Sequence, residues 1–174
     1  MHAEPFLPIL LGTGRKDNQS QKVANFVYAI LKNDERFGTE LIDVKDFANP
    51  VTIPSWVNDK RTAKWKEIAL RATAFILVVP EYNHSYPGEL KILLDGALKE
   101  YEGKPVSIVS VSKGNFAGVR MLEHLLPVLH NLKMNLIPAH VNVSNVVEEF
   151  GEGAVNPKYV EKIKTMADKL FINI

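Results

Sequence analysis

The residues that could do chemistry gather in three short loops. The first reads Gly12-Thr13-Gly14-Arg15-Lys16-Asp17-Asn18-Gln19-Ser20-Gln21. An apolar run, Phe6 to Leu11, leads into it, and Val23, Phe26, Val27, Ile30 and Leu31 follow at helical spacing. Strand, glycine turn and helix N-terminus in succession offer an anion unpaired N–H groups and the positive end of a helix dipole. Thr13, Asn18 and Ser20 are small hydrogen bonders, and Arg15 can grip phosphate oxygens with two donors. The loop lacks the Gly-Lys-Ser/Thr ending of a triphosphate loop. Asp17 stands where a dinucleotide fingerprint would carry its third glycine. An ordinary strand–helix connection with a surface arginine and a polar cap has the same local pattern.

The second loop, Pro80-Glu81-Tyr82-Asn83-His84-Ser85-Tyr86-Pro87-Gly88, is stiffened by two prolines. Its backbone groups need partners, and the edge of a flat heterocycle can supply them. The third, Ser112-Lys113-Gly114-Asn115-Phe116-Ala117-Gly118, has glycines that let backbone approach a ligand closely. A phosphate site with two ring-edge loops describes a mononucleotide with a large ring system. FMN fits that description better than ATP, because nothing in the sequence suggests a magnesium cage.

The elements that must position these loops alternate. Strands are expected at Phe6 to Leu11, Thr39 to Val44, Ala74 to Val79, Pro105 to Val111 and within Asn135 to Val143. Helices are expected after Ser20, from about Asp59 to Ala72, from Gly88 to Glu100, through Leu122 to Leu132, and through Tyr159 to Leu170. In the second of these, Ala63, Lys66, Ile68, Ala69 and Ala72 would face inward with Trp65 at the edge. Such alternation implies an α/β three-layer sandwich, a five-stranded parallel sheet with helices on both faces. The flavodoxin-like strand order 2-1-3-4-5 suits it, with ligands outside the carboxyl ends of strands at the switch point. The three loops follow strands 1, 3 and 4, neighbours in that order, so they form one site.

Composition narrows the function classes. The 174 residues suit a single domain, residues 1–174, and their 46% hydrophobic and 24% charged content is that of a globular chain. A net charge of +1 gives no footprint for nucleic acid or a membrane surface. No stretch is long enough to span a bilayer, and Met1 to Pro5 with the short apolar run after it makes no secretory signal. Zero cysteines exclude thiol catalysis and fit a cytoplasmic protein. The five histidines, His2, His84, His124, His130 and His140, show no metal-binding spacing.

Three quoted motifs carry a family resemblance. Gly12-Thr13-x-Arg15 with the Asn18/Ser20 helix start resembles the phosphate loop of the NADPH-dependent FMN reductase family. Pro80-Glu81-Tyr82-Asn83-His84-Ser85-x-Pro87-Gly88-x-Leu90-Lys91, with Asp95 beyond, is similar to that family's most specific motif, and Ser112-Lys113-Gly114 with Ala117-Gly118 to its third loop. The resemblance runs from Phe6 to about Pro138. It implies a flavodoxin-like enzyme passing hydride from NADPH or NADH to FMN and on to small-molecule acceptors: quinones, azo compounds, free flavin or metal oxyanions. It places Thr13, Arg15, Asn18, Ser20 and Gln21 at the FMN phosphate. Pro80, Glu81, Tyr82 and Asn83 would lie along the isoalloxazine, with Ser112 and Gly114 at its other edge. Asn18 stands where many members have Ser, and Lys113 and Asn115 in a loop usually richer in Gly. A homodimer or homotetramer is implied, with Pro80 to Glu100 as candidate interface.

No side chain is expected to act as general acid or base, His84 included; the cofactor carries the chemistry. Lys16 and Lys113 are candidate contacts for a 2′-phosphate. Glu148, Glu149 and Glu152 read as a solvated acidic loop. Trp56, Trp65 and Tyr86 suit the core, the flavin face or a subunit contact. The competing function is a flavodoxin-like FMN electron carrier reduced by a partner protein; such carriers dock through strong negative charge, which this chain lacks. A phospho-acceptor module would need acidic residues where Gly12-Thr13-Gly14 stands.

Overall fold

Three apolar runs become the central strands of a parallel sheet. The computed structural model describes residues 4–151 and 157–174. In chain order it contains β1 (Phe6–Leu11), α1 (Ser20–Leu31), β2 (Gly38–Asp43), α2 (Lys60–Arg71), β3 (Phe75–Pro80) and α3 (Gly88–Asp95). There follow β4 (Pro105–Val111), α4 (Val119–Asn131), β5 (Asn135–Leu136), β6 (Val141–Val143), α5 (Val146–Glu149) and α6 (Pro157–Ile172). The order across the sheet is β2-β1-β3-β4-β5, with β6 also on β4, and every pairing is parallel. This is the expected flavodoxin-like order.

β3 and β4 are buried at every position, as strands covered on both faces are; β3 is an unbroken apolar run, and β4 carries two buried serines, Ser107 and Ser110, among its apolar residues. Alternate residues feed two cores. Leu7, Ile9, Leu11, Ile76 and Val78 pack under α1 and α6; Leu10, Leu77, Val79 and Ile108 pack under α2, α3 and α4. Leu11 lies opposite Val78 and Pro80 opposite Val111, so the loops leaving β1, β3 and β4 start side by side.

Three expectations are corrected. The fifth strand is split into β5 and β6, because Pro138 has no N–H for a ladder. At the break, His140 Nδ1 accepts the Ile108 N–H at 3.2 Å, taking the place of a strand carbonyl. The helix expected through Glu100 ends at Asp95. A Cβ at Gly96 would meet Thr62 of α2 at 3.2 Å, so the chain crosses close beneath α2 before a short 3₁₀ turn at Lys99–Tyr101. Trp65 is central rather than marginal: Thr62, Trp65 and Ala69 form the buried face of α2, and Ala63 is exposed. Its Nε1 donates to the buried Tyr101 hydroxyl at 2.6 Å, and burial pushes that hydroxyl's pKa up. Trp56 is 83% exposed, whereas Tyr86 packs against the second core. Glu148 and Glu149 sit on α5, and Glu149 pairs with Lys158; His2 and Glu152 lie outside the described residues.

Candidate active site

The middle loop is a hairpin turn. Asn83 and His84 both have positive φ, 48° and 65°, and Tyr82 and Ser85 exchange two backbone hydrogen bonds of 2.8 and 2.9 Å. Two successive left-handed residues are the signature of a type I′ turn, and Asn tolerates that conformation well. The loop's rigidity therefore comes from its own pairing as well as from its prolines.

Two carboxylates pin this loop to its neighbours. Glu89, in the first turn of α3, accepts Thr13 Oγ1 at 3.0 Å and the Gly14 N–H at 3.1 Å with one oxygen. Thr13 is fully buried; its hydroxyl also lies 3.2 Å from the Tyr82 hydroxyl and accepts the Arg15 N–H. On the other side, Glu81 Oε2 accepts the Met121 N–H at 3.4 Å at the start of α4, a helix with no side-chain cap of its own. Arg120 lies 3.2 Å from His84 Nε2, 3.8 Å from Glu81 and over the Phe116 ring. The third loop is fixed by Gly118 (φ +78°), where a Cβ would fall 2.9 Å from that of Ser110.

Between the loops lies a cleft of about 240 Å³. Arg15, Gln19 and Ser20 line one end, Pro80, Glu81 and Tyr82 a wall, and Val111, Ser112 and Lys113 with Val146 the other side. The Arg15 guanidinium lies over the Tyr82 ring at 4.9 Å, a cation–π contact. At the start of α1, Asn18 Oδ1 accepts the Gln21 N–H and the Gln19 carbonyl that of Lys22; the N–H groups of Gln19 and Ser20 meet no acceptor among the described residues. No acidic residue stands in that first turn. The end is therefore an open anion site.

Six of the eleven expected site residues line this cleft: Arg15, Ser20, Pro80, Glu81, Tyr82 and Ser112. The other five sit elsewhere. Thr13 is engaged by Glu89 behind the loop. Asn18 and Gln21 line a second cleft on the far side of the first loop. Asn83 is at the exposed turn tip, and Gly114 donates its N–H to Ser112 Oγ at 3.0 Å.

Gln19 was not among the expected residues. Its Oε1 is buried without a hydrogen-bond partner, the single such side-chain atom among the described residues. An unmade bond of this kind costs about 1–3 kcal/mol. A ligand donor or hydroxyl in the cleft would satisfy it, as a mononucleotide with a polyhydroxylated chain does. The donors at the helix start, the Arg15 charge, the wall of Pro80 to Tyr82 and this orphan acceptor together fit FMN.

The sequence profile of NADPH-dependent FMN reductases matches residues 7–148. The NAD(P)H-dependent FMN reductase LOT6 of Saccharomyces cerevisiae is 29% identical over 146 residues, 74% of this chain and 75% of that one. An NADPH azoreductase of a Bacillus strain is 27% identical over 84% of this chain and 80% of its own. Among solved structures, the flavoenzyme NAD(P)H:(acceptor) oxidoreductase FerB of Paracoccus denitrificans superposes with a TM-score of 0.77 at 19% identity, covering 97% of this chain and 96% of that one, a likeness of fold. With the profile covering most of its length, the chain belongs to the NADPH-dependent FMN reductase family.

Proposed function

We propose that this flavoenzyme oxidises NADPH or NADH and reduces small-molecule acceptors: quinones, azo compounds, free flavin or metal oxyanions. The cleft at the ends of β1, β3 and β4 supports this reading most: Arg15 lines it with N–H groups of Gln19 and Ser20 that meet no acceptor among the described residues, and Pro80, Glu81 and Tyr82 form a wall. FMN, when bound, supplies the hydride chemistry between the nicotinamide and the acceptor. Arg15, with the N–H groups of Gln19 and Ser20, would hold its phosphate. Pro80, Glu81 and Tyr82 would support the ring, and Ser112 its other edge. Thr13 acts from behind, fixing Arg15's backbone through its own hydroxyl. Orientation of the rings is the protein's main contribution. The azoreductase likeness supports azo compounds among the acceptors.

We further propose a homo-oligomer working in the cytoplasm; among the described residues no helix is long and apolar enough to cross a membrane. Steady-state oxidation of NADPH by the purified protein with FMN and a quinone, and no partner reductase, tests the reading. Turnover is expected. FMN binding without any turnover would mark the protein as an electron carrier instead.

A further inference from the structure

The second and third loops form facing walls of the cleft, and one side chain touches both. Arg120, in the first turn of α4, is partly buried. Its Nη1 lies 3.2 Å from His84 Nε2, at the tip of the second loop, and 3.8 Å from Glu81 Oε1, at that loop's base. The same guanidinium lies over the Phe116 ring of the third loop, 4.7 Å from its centroid. Glu81 is tied to α4 again through the Met121 N–H. A guanidinium can only donate, so His84 Nε2 accepts, and the ring is neutral with its proton on Nδ1. His84 also has positive φ, a conformation that a residue other than glycine keeps only where its surroundings hold it.

A second proton on the ring removes the acceptor and sets two cations 3.2 Å apart. Arg120 then keeps Glu81 and Phe116, while the loop tip loses its hold. The charged groups that meet His84 are Arg120, directly, and Glu81, through Arg120. We propose that Arg120 is a positioning residue that latches the two walls of the cleft together, and that protonation of His84 opens the latch and loosens FMN. This rests on the flavin reading of the cleft given above. Both residues stand outside the cleft lining, so the latch acts through Glu81 and the third loop.

The test is fluorescence titration of FMN against the wild type, His84→Gln, His84→Ala and Arg120→Ala. Each is measured at about pH 8 and about pH 5, the limits between which histidines change charge. Glutamine offers Arg120 an amide oxygen and does not titrate. At the higher pH the wild type and His84→Gln are expected to bind FMN alike. His84→Ala and Arg120→Ala are expected to bind it about three- to tenfold more weakly, the scale of one hydrogen bond. At the lower pH the wild type is expected to fall behind His84→Gln by about the same factor. The flavin phosphate and His140 titrate alike in these proteins and drop out of the ratio. A wild type that tracks His84→Gln at both pH values overturns the proposal, as does an alanine variant that binds as tightly as the wild type at the higher pH. If the wild type binds no FMN, the flavin reading fails, and amide exchange of the free protein decides the latch by itself. The Tyr82 and Ser85 N–H groups, which pair across the turn, are expected to exchange faster in His84→Ala than in His84→Gln at one pH. Equal rates overturn the latch.

Discussion

Single residues at this site divide between those that face the cleft and those that hold the loops still. Gln19 belongs to the first group and Glu89 to the second, and the two make opposite predictions. Gln19→Leu removes a buried acceptor that has no partner. The apo protein is therefore expected to melt about 2–4 °C higher for each kcal/mol recovered. FMN is expected to bind roughly three- to tenfold more weakly, the scale of one hydrogen bond. Calorimetry and fluorescence titration measure the two effects; a variant unchanged in both would show that the amide has no role. Glu89→Ala leaves the Thr13 hydroxyl and the Gly14 N–H without their shared acceptor. A loosened first loop and FMN affinity about tenfold lower are expected. Glu89→Gln keeps an oxygen able to accept both bonds and is expected to restore most of the affinity. Equal loss in both variants would show that charge, not positioning, is what Glu89 contributes. Local pattern pointed to the three loops, but not to these two residues. Glu89 and Thr13 are 76 positions apart, and their contact depends on how α3 meets the first loop. Gln19 and Gln21 are both amides at one helix start, and the orientation of that first turn decides which faces the cleft.

At the scale of elements, strands that are buried on both faces were the most legible. β1 and β4 have the expected bounds and β3 is shifted by one residue at each end, because largely apolar runs bounded by turn residues mark strands buried on both faces. The sheet edge was less so: Pro138 interrupts the ladder, and His140 closes the gap with a side-chain nitrogen. Trp65 lies at the centre of the buried face of α2 rather than at its edge, because spacing alone does not say which part of a broad apolar face meets the sheet. The third loop turns into α4 through Gly118, and Gly118→Ala adds both a left-handed strain and a clash with Ser110. A loss of about 1–2 kcal/mol from the backbone strain alone is expected, with more from the clash. Chemical denaturation checks it. A variant as stable as the wild type would contradict the close approach described here.

For the whole molecule, pH acts through His140. Burial lowers its pKa, and its Nδ1 must be unprotonated to accept the Ile108 N–H. The unfolded chain, with a histidine near its ordinary pKa of about 6.5, takes up the proton first as pH falls. The resulting stability is fully present above about pH 6.5 and is lost as pH drops through the lowered value of the folded state. His140→Gln is expected to flatten this part of a stability–pH curve; an unchanged curve would assign the loss to other groups. Asp59, held at about 2 by Arg61, titrates only at much lower pH and is separable from it. In the proposed function the three loops form one flavin site that accepts hydride. The visible spectrum of the purified protein, titrated anaerobically with FMN and then with NADPH, tests it most directly. Saturable binding of one FMN per chain and bleaching of the flavin band on NADPH addition are predicted. Failure of FMN to bind at all would contradict the assignment of the cleft and of its three loops to the flavin.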